Sequence, residues 1–143
     1  MLAKLFGESQ DLALLLGRLI LGVIFVAHGY QKLFVLGVDN VGKFFEGVGI
    51  PAPLFFAWVV SLVELFGGIA VILGVLTRWA ALGLAIIMVV ATLTVKLPVG
   101  LIAPPSKGAG YELDLALLGL ALVLLLVGPG RASLEKGLLG KEL

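Results

Sequence analysis

No cysteine occurs in this chain of 143 residues, which removes disulfides, thiolate metal sites and thiol catalysis together. Histidine occurs once, so two histidines of the same chain cannot clasp a haem iron between them. Charged residues make up 13% of the sequence, against ~25% in a soluble domain, and leave too little polar surface to cover a water-soluble globule. The formal net charge of +1 offers no basic face for nucleic acid. What fills the space is apolar: 61% of the residues are hydrophobic and the mean hydropathy is +1.21.

Four apolar runs account for that excess, at residues 12–34, 53–76, 78–97 and 111–127. A membrane-crossing helix needs ~20 mainly apolar residues at ~1.5 Å rise each, so every run fits a span within boundary error. The expected fold is an all-α membrane protein, a four-transmembrane-helix bundle forming a single domain over residues 1–143. Arg18 interrupts the first run and no clean small-residue cleavage site follows, so it reads as a retained helix and not a signal peptide.

Between the first two runs, DNVGKFFEGVG has the pattern of a short interfacial helix. Asp39 is its expected cap, Phe44 and Phe45 its anchors, and Gly49-Ile50-Pro51 its stop. Residues 98–110 hold three prolines and three glycines and read as irregular, and a polar tail follows Gly128-Pro129-Gly130. Basic residues near the ends favour both termini in the cytoplasm. Lys4, Arg78, Arg131, Lys136 and Lys141 fall on that side, against Lys43 and Lys107 on the other, with Lys32 and Lys96 at the edges.

Glu64 is the most informative residue, because it is the one charge between Pro51 and Leu76. A charge at bilayer depth costs at least ~2.5–3.5 kcal/mol on insertion scales, so it normally faces protein or water and finds a partner. On an ideal helix Arg18, His28 and Lys32 fall within an arc of ~80°, which puts the ionisable groups of the first helix on one face. Ala57, Ser61, Glu64 and Gly68 form a stripe ~60° wide on the second, where small residues permit close backbone approach. The third run carries Ala85, Met88, Thr92 and Lys96 in the same way. The fourth sets Glu112, Ala116 and Gly119 on one face and Asp114 nearly opposite. By depth, Glu64 lies between Arg18 and His28, while Lys32, Lys96 and Glu112 gather towards the outer interface.

Three segments together carry a resemblance: GRLILGVIFVAHGYQKL at 17–33, VELFGGIAVILGVLTRWAAL at 63–82 and GYELDLALLGLALVLLLVGPGRASLE at 110–135. The chain resembles the DoxX family of small four-helix membrane proteins. Its charged positions match Arg18, His28, Lys32, Glu64, Arg78 and Glu112, while Glu135 stands where the family often has aspartate. The resemblance implies a quinone-linked or detoxification setting, since the family name comes from a membrane subunit of a thiosulfate:quinone oxidoreductase. Any covalent sulfur chemistry would then fall to a partner, because this chain has no thiol.

Three roles compete at this stage. In one, the chain is a non-catalytic subunit that anchors a redox-enzyme partner through its tail and its Phe-bearing loop, and the buried charges fix helix register. In another, the bundle holds a quinone or other lipophilic carbonyl compound. Glu64 and His28 then handle protons, and Arg18, Lys32 and Glu112 complete a polar intramembrane site. Burial and a neighbouring cation act in opposite senses on a carboxyl group, which suits it to proton exchange. The third is a small transporter or lipid-handling protein, for which four helices leave little room unless the chain forms a homo-oligomer. His28 bonded to a backbone carbonyl, Lys32 and Lys96 snorkelling to headgroups, an Arg18–Glu64 link, and Asp114 set against a helix dipole are the structural alternatives.

Overall fold

The computed structural model describes residues 1–140 and Leu143; Lys141, one of the tail's basic residues, lies outside the described residues. A short helix α1 (Leu2–Phe6) precedes α2 (Gln10–Tyr30), which continues without a break into a π-helical segment, Gln31–Leu36. Then come α3 (Val38–Gly47), α4 (Pro53–Leu73), and α5 (Thr77–Ala91), which also ends in a π-helical turn, Thr92–Lys96. The irregular stretch that follows contains one 3-10 turn, Pro105–Lys107, before α6 (Tyr111–Val127) and α7 (Leu134–Leu139). Among the described residues there is no strand.

Local chemistry explains the boundaries. Pro53 opens α4, where its missing N–H costs nothing, and Gly74 closes it in the left-handed conformation at φ +71°. Leu76 is also left-handed, at φ +48°, so the reversal occupies residues 74–76 and α5 begins at Thr77. Gly74 is required here for a second reason. A Cβ at that position would lie 3.1 Å from Arg18 Cζ and against Ser133.

Three helices are long and apolar enough to cross a membrane: Gln10–Leu36, Pro53–Leu73 and Thr77–Lys96. Helix α6, with 17 residues, extends over ~26 Å, a little less than the ~30 Å hydrocarbon layer. Adjacent long helices run antiparallel. Along α2 and α4, Gly22 meets Gly68 and Gly29 meets Leu65; α4 and α5 reverse through the turn at 74–76 and touch where Gly67 meets Leu84 and Val63 meets Gly83. Along α5 and α6, Arg78 reaches Leu125 and Thr92 reaches Asp114. Leu21, Phe25, Val71, Leu84, Ala121 and Leu124 make the fully buried centre where the four meet.

Two local expectations are corrected. A helix does form over Val38–Gly47, but its cap is Gly37 at φ +83°, and Asp39 lies inside the first turn. Phe44 is exposed, whereas Phe45 turns inward with Val38 and Val41 against Ala57. Adjacent residues on a helix point ~100° apart, so the two could not both anchor in one direction.

Candidate functional site

The two ends of the bundle are built differently. At the end that holds the start of α2 and the close of α4 and α6, arginines cap helix C-termini. The last carbonyls of a helix have no partner within it and carry partial negative charge, so a guanidinium suits them. Arg18 is 1% exposed. Its Nε donates to Val71 O at 2.9 Å and Nη2 to Ile72 O at 2.9 Å, both in the last turn of α4. Nη1 donates to Pro129 O at 2.8 Å and Ala132 O at 2.7 Å. Arg78 caps α6 in the same manner, with Nη1 donating to Leu125 O at 3.0 Å and Leu126 O at 3.1 Å.

The start of the tail is drawn into this end. Asp11 Oδ1 accepts from Arg131 N at 2.9 Å, and Glu135 N donates to Gly74 O at 3.0 Å. Ser133 caps α7, and Glu135 is buried. A segment that reads as a solvated docking tail is, over residues 128–135, part of the bundle's base.

At the opposite end the helices enclose a cavity of about 580 Å³. Its walls are mostly apolar: Phe25 and Leu117 at the inner end, Val59, Val60, Ile87 and Ala91 along α4 and α5, and Phe45 and Ile50 over the top. Five ionisable side chains interrupt them: His28, Lys32, Glu64, Lys96 and Asp114. Each long helix contributes, so the cluster exists only when the bundle is assembled.

Glu64 sits midway along α4 at 3% exposure, on the buried stripe with Ala57, Ser61 and Gly68. Lys32 reaches it from the π-helical extension of α2, with Nζ 2.6 Å from Oε2. Close passage of α2 over α4 makes this contact possible, since Gly29 packs directly on the Leu65 backbone. Across the cavity, Thr92 Oγ1 lies 3.4 Å from Asp114 Oδ2, and Lys96 Nζ donates to Ala109 O at 2.9 Å. His28 is half-buried and lies within the fields of Lys32, Asp114 and Lys96. It forms no hydrogen bond among the described residues, so the carbonyl contact considered for it is absent. Both lysines occupy π-helical turns, a widened geometry common at functional sites.

Of the site residues expected from the sequence, His28, Lys32 and Glu64 line the cavity and two do not. Arg18 commits its guanidinium to four carbonyl bonds at the other end and forms no ion pair with Glu64. The Glu112 side chain is exposed, while Asp114 is 6% exposed and lines the cavity. Asp114 and Lys96 are the residues that sequence reasoning set aside. For Lys96 the available signal was its place on the stripe Ala85, Met88 and Thr92; for Asp114 the sequence held none.

Residues 13–97 match the DoxX family. The chain belongs to that family. Among DoxX relatives it is 38% identical to the "Uncharacterized membrane protein Rv3486" of Mycobacterium tuberculosis, over 85% of this chain and 78% of that one. It is 34% identical to the "Putative oxidoreductase CatD" of Bacillus subtilis, over 82% of this chain and 81% of that one. The "Inner membrane protein YphA" of Escherichia coli is 25% identical over 92% of this chain and 94% of its own. No solved structure matches the chain. The DoxX match takes in Arg18, His28, Lys32, Glu64 and Lys96, and ends before Asp114.

Proposed function

We propose that this DoxX protein is a membrane-embedded binding protein for a lipophilic carbonyl compound of the quinone class, acting beside a redox enzyme. The cavity carries this reading: about 580 Å³ of mainly apolar space with five ionisable groups on its walls. Ligand pockets of this kind are apolar with a few placed polar groups that fix orientation. A quinone ring suits the donor set. Lys32, Lys96 and His28 can donate to carbonyl oxygens, and Glu64 and Asp114 can accept from the hydroxyls of the reduced form. When bound, such a compound supplies two-electron, two-proton redox chemistry. The chain's own residues hold the ring, exclude water and exchange protons at Glu64 Oε and Asp114 Oδ. The name of the Bacillus subtilis relative, which contains the word oxidoreductase, is compatible with this setting.

The proposal includes one membrane domain of four spanning helices in a prokaryotic plasma membrane, with α6 as the fourth span and α3 at the interface. The Asp11–Arg131 contact joins both ends of the chain at one side of the bundle, and the basic residues favour the cytoplasm for that side. Pure anchoring of a partner through the tail is the weaker reading, since residues 128–135 are already engaged with Asp11, Arg18 and Gly74.

The test is gentle purification from native membranes, with mass spectrometry of every molecule that accompanies the protein, beside Glu64→Gln and Asp114→Asn. A stoichiometric lipophilic carbonyl compound, depleted in both variants, is the expected result. A stoichiometric protein partner with no such molecule would return the chain to an anchoring role.

A further inference from the structure

The cavity is not closed on all sides, and its opening lies between two helices. From the arginine-capped end to mid-helix α4 and α5 are in contact, where Gly67 meets Leu84 and Val63 meets Gly83. Towards the other end the cavity lies between them, with Val59 and Val60 on one side and Ile87, Ala91 and Thr94 on the other. Several residues that line the cavity are exposed: Phe56 at 38% on α4, Val90 at 44% and Ile86 at 55% on α5, Leu113 at 37% on α6 and Phe44 at 52% on α3. Phe56 lies three residues inside the start of α4, and Val90 six residues before Lys96. At 1.5 Å per residue the two sit ~5 Å and ~9 Å within their helices. Both lie inside the two segments, Pro53–Leu73 and Thr77–Lys96, that are long and apolar enough to cross a membrane.

We infer that the gap between α4 and α5 is a lateral opening to the bilayer, and that a ligand bound as proposed above leaves its hydrocarbon tail in it. The inference rests on that ligand-binding reading and adds the route and the second half of the ligand. The ionisable groups lie along α2, at mid-α4 and on the inner sides of α5 and α6, so a polar head seats away from the gap. Phe56, Val90 and Ile87 offer only apolar surface at the gap itself, which suits a chain and repels a second polar group. Phe45 and Ile50 lie over the cavity where α3 covers it, so the approach from the aqueous side is apolar as well. A ligand that partitions into the membrane meets the gap without crossing water. A compact, tail-less head group finds the same polar cluster but lacks the contacts in the opening.

The experiment measures binding of two probes to the full-length protein in lipid nanodiscs: decylubiquinone, which carries a ten-carbon tail, and its tail-less parent 2,3-dimethoxy-5-methyl-1,4-benzoquinone. The wild type is expected to bind the tailed probe at least ~10-fold more tightly, since each buried methylene adds to affinity. Val90→Trp fills the mouth from an exposed position and should weaken or slow the tailed probe ~10-fold while leaving the tail-less one unchanged. Phe56→Ala widens the mouth and should speed association of the tailed probe, which keeps the test readable if tryptophan at position 90 disturbs folding. Leu93→Trp, on the exposed surface outside the cavity, is the matched control.

Tailed-probe binding that ignores both Val90→Trp and Phe56→Ala overturns the opening and leaves the ligand site standing. Failure of both probes to bind the wild type removes the ligand site, and the opening with it. Equal weakening of both probes by Val90→Trp, with the control silent, overturns the division of head and tail.

Discussion

Arg18 and Glu64 are both charged, both buried and both carried on apolar helices, yet different chemistry holds them. Arg18 spends its guanidinium on backbone oxygens of Val71, Ile72, Pro129 and Ala132. Arg18→Met removes that donor from all four; Val71 O keeps Gly74 N, but a buried carbonyl left unpaired costs ~1–3 kcal/mol. The variant should lose at least ~2 kcal/mol of stability, read as a lowered thermal midpoint in detergent, and Arg18→Lys should recover only part of it. An unchanged midpoint for Arg18→Met would show that the clasp contributes nothing.

Glu64 holds a single ammonium instead, and Glu64→Gln keeps an oxygen for Lys32 Nζ, so folding should stay near wild type while ligand retention falls. A double-mutant cycle with Lys32→Met is expected to give a coupling of ~0.6–1.7 kcal/mol, the range measured for hydrogen bonds between membrane helices. Zero coupling would mean that the pair seen here does not persist in the bilayer.

The elements show where the sequence was readable. On α4 the small-residue stripe is unambiguous, and Ala57, Ser61, Glu64 and Gly68 are all buried as that stripe implies. Helix α6 is apolar all round, so nothing but its contacts fixes its rotation, and the sequence could not choose between Glu112 and Asp114. The arginine caps were also illegible, since every residue carries a carbonyl and no side chain marks which ones will be orphaned. The π-helical turns shift Lys32 and Lys96 off the angles of an ideal helix, so arc arithmetic beyond Tyr30 and Ala91 was approximate.

A matched pair of glycines tests the packing directly. A Cβ on Gly29 would stand 2.5 Å from Leu65 N and 2.8 Å from Leu65 Cα, both backbone, whereas one on Gly119 meets nothing within 4 Å. Gly29→Ala should therefore cost ~1–3 kcal/mol by forcing α2 from α4 and should weaken the Lys32–Glu64 contact. Gly119→Ala should be neutral or stabilise by up to ~1 kcal/mol. Equal effects in thermal unfolding would refute the close α2–α4 crossing.

For the molecule as a whole, the absence of cysteine makes topology simple to measure. Glu8→Cys and Gly137→Cys should react with a membrane-impermeant maleimide from the same side, and Ser106→Cys from the other. Labelling of all three from one side would exclude the odd number of crossings expected on either side of Ser106. A final consequence follows from placing both arginine clasps at one end. On the reading proposed above, the bundle is made like a clothes-peg, closed at the Arg18 and Arg78 base and open between α4 and α5 at the other end. Among the described residues no hydrogen bond ties α4 to α5 at the cavity end, so on that reading acyl chains press the jaws, and membrane composition is expected to set how firmly they grip.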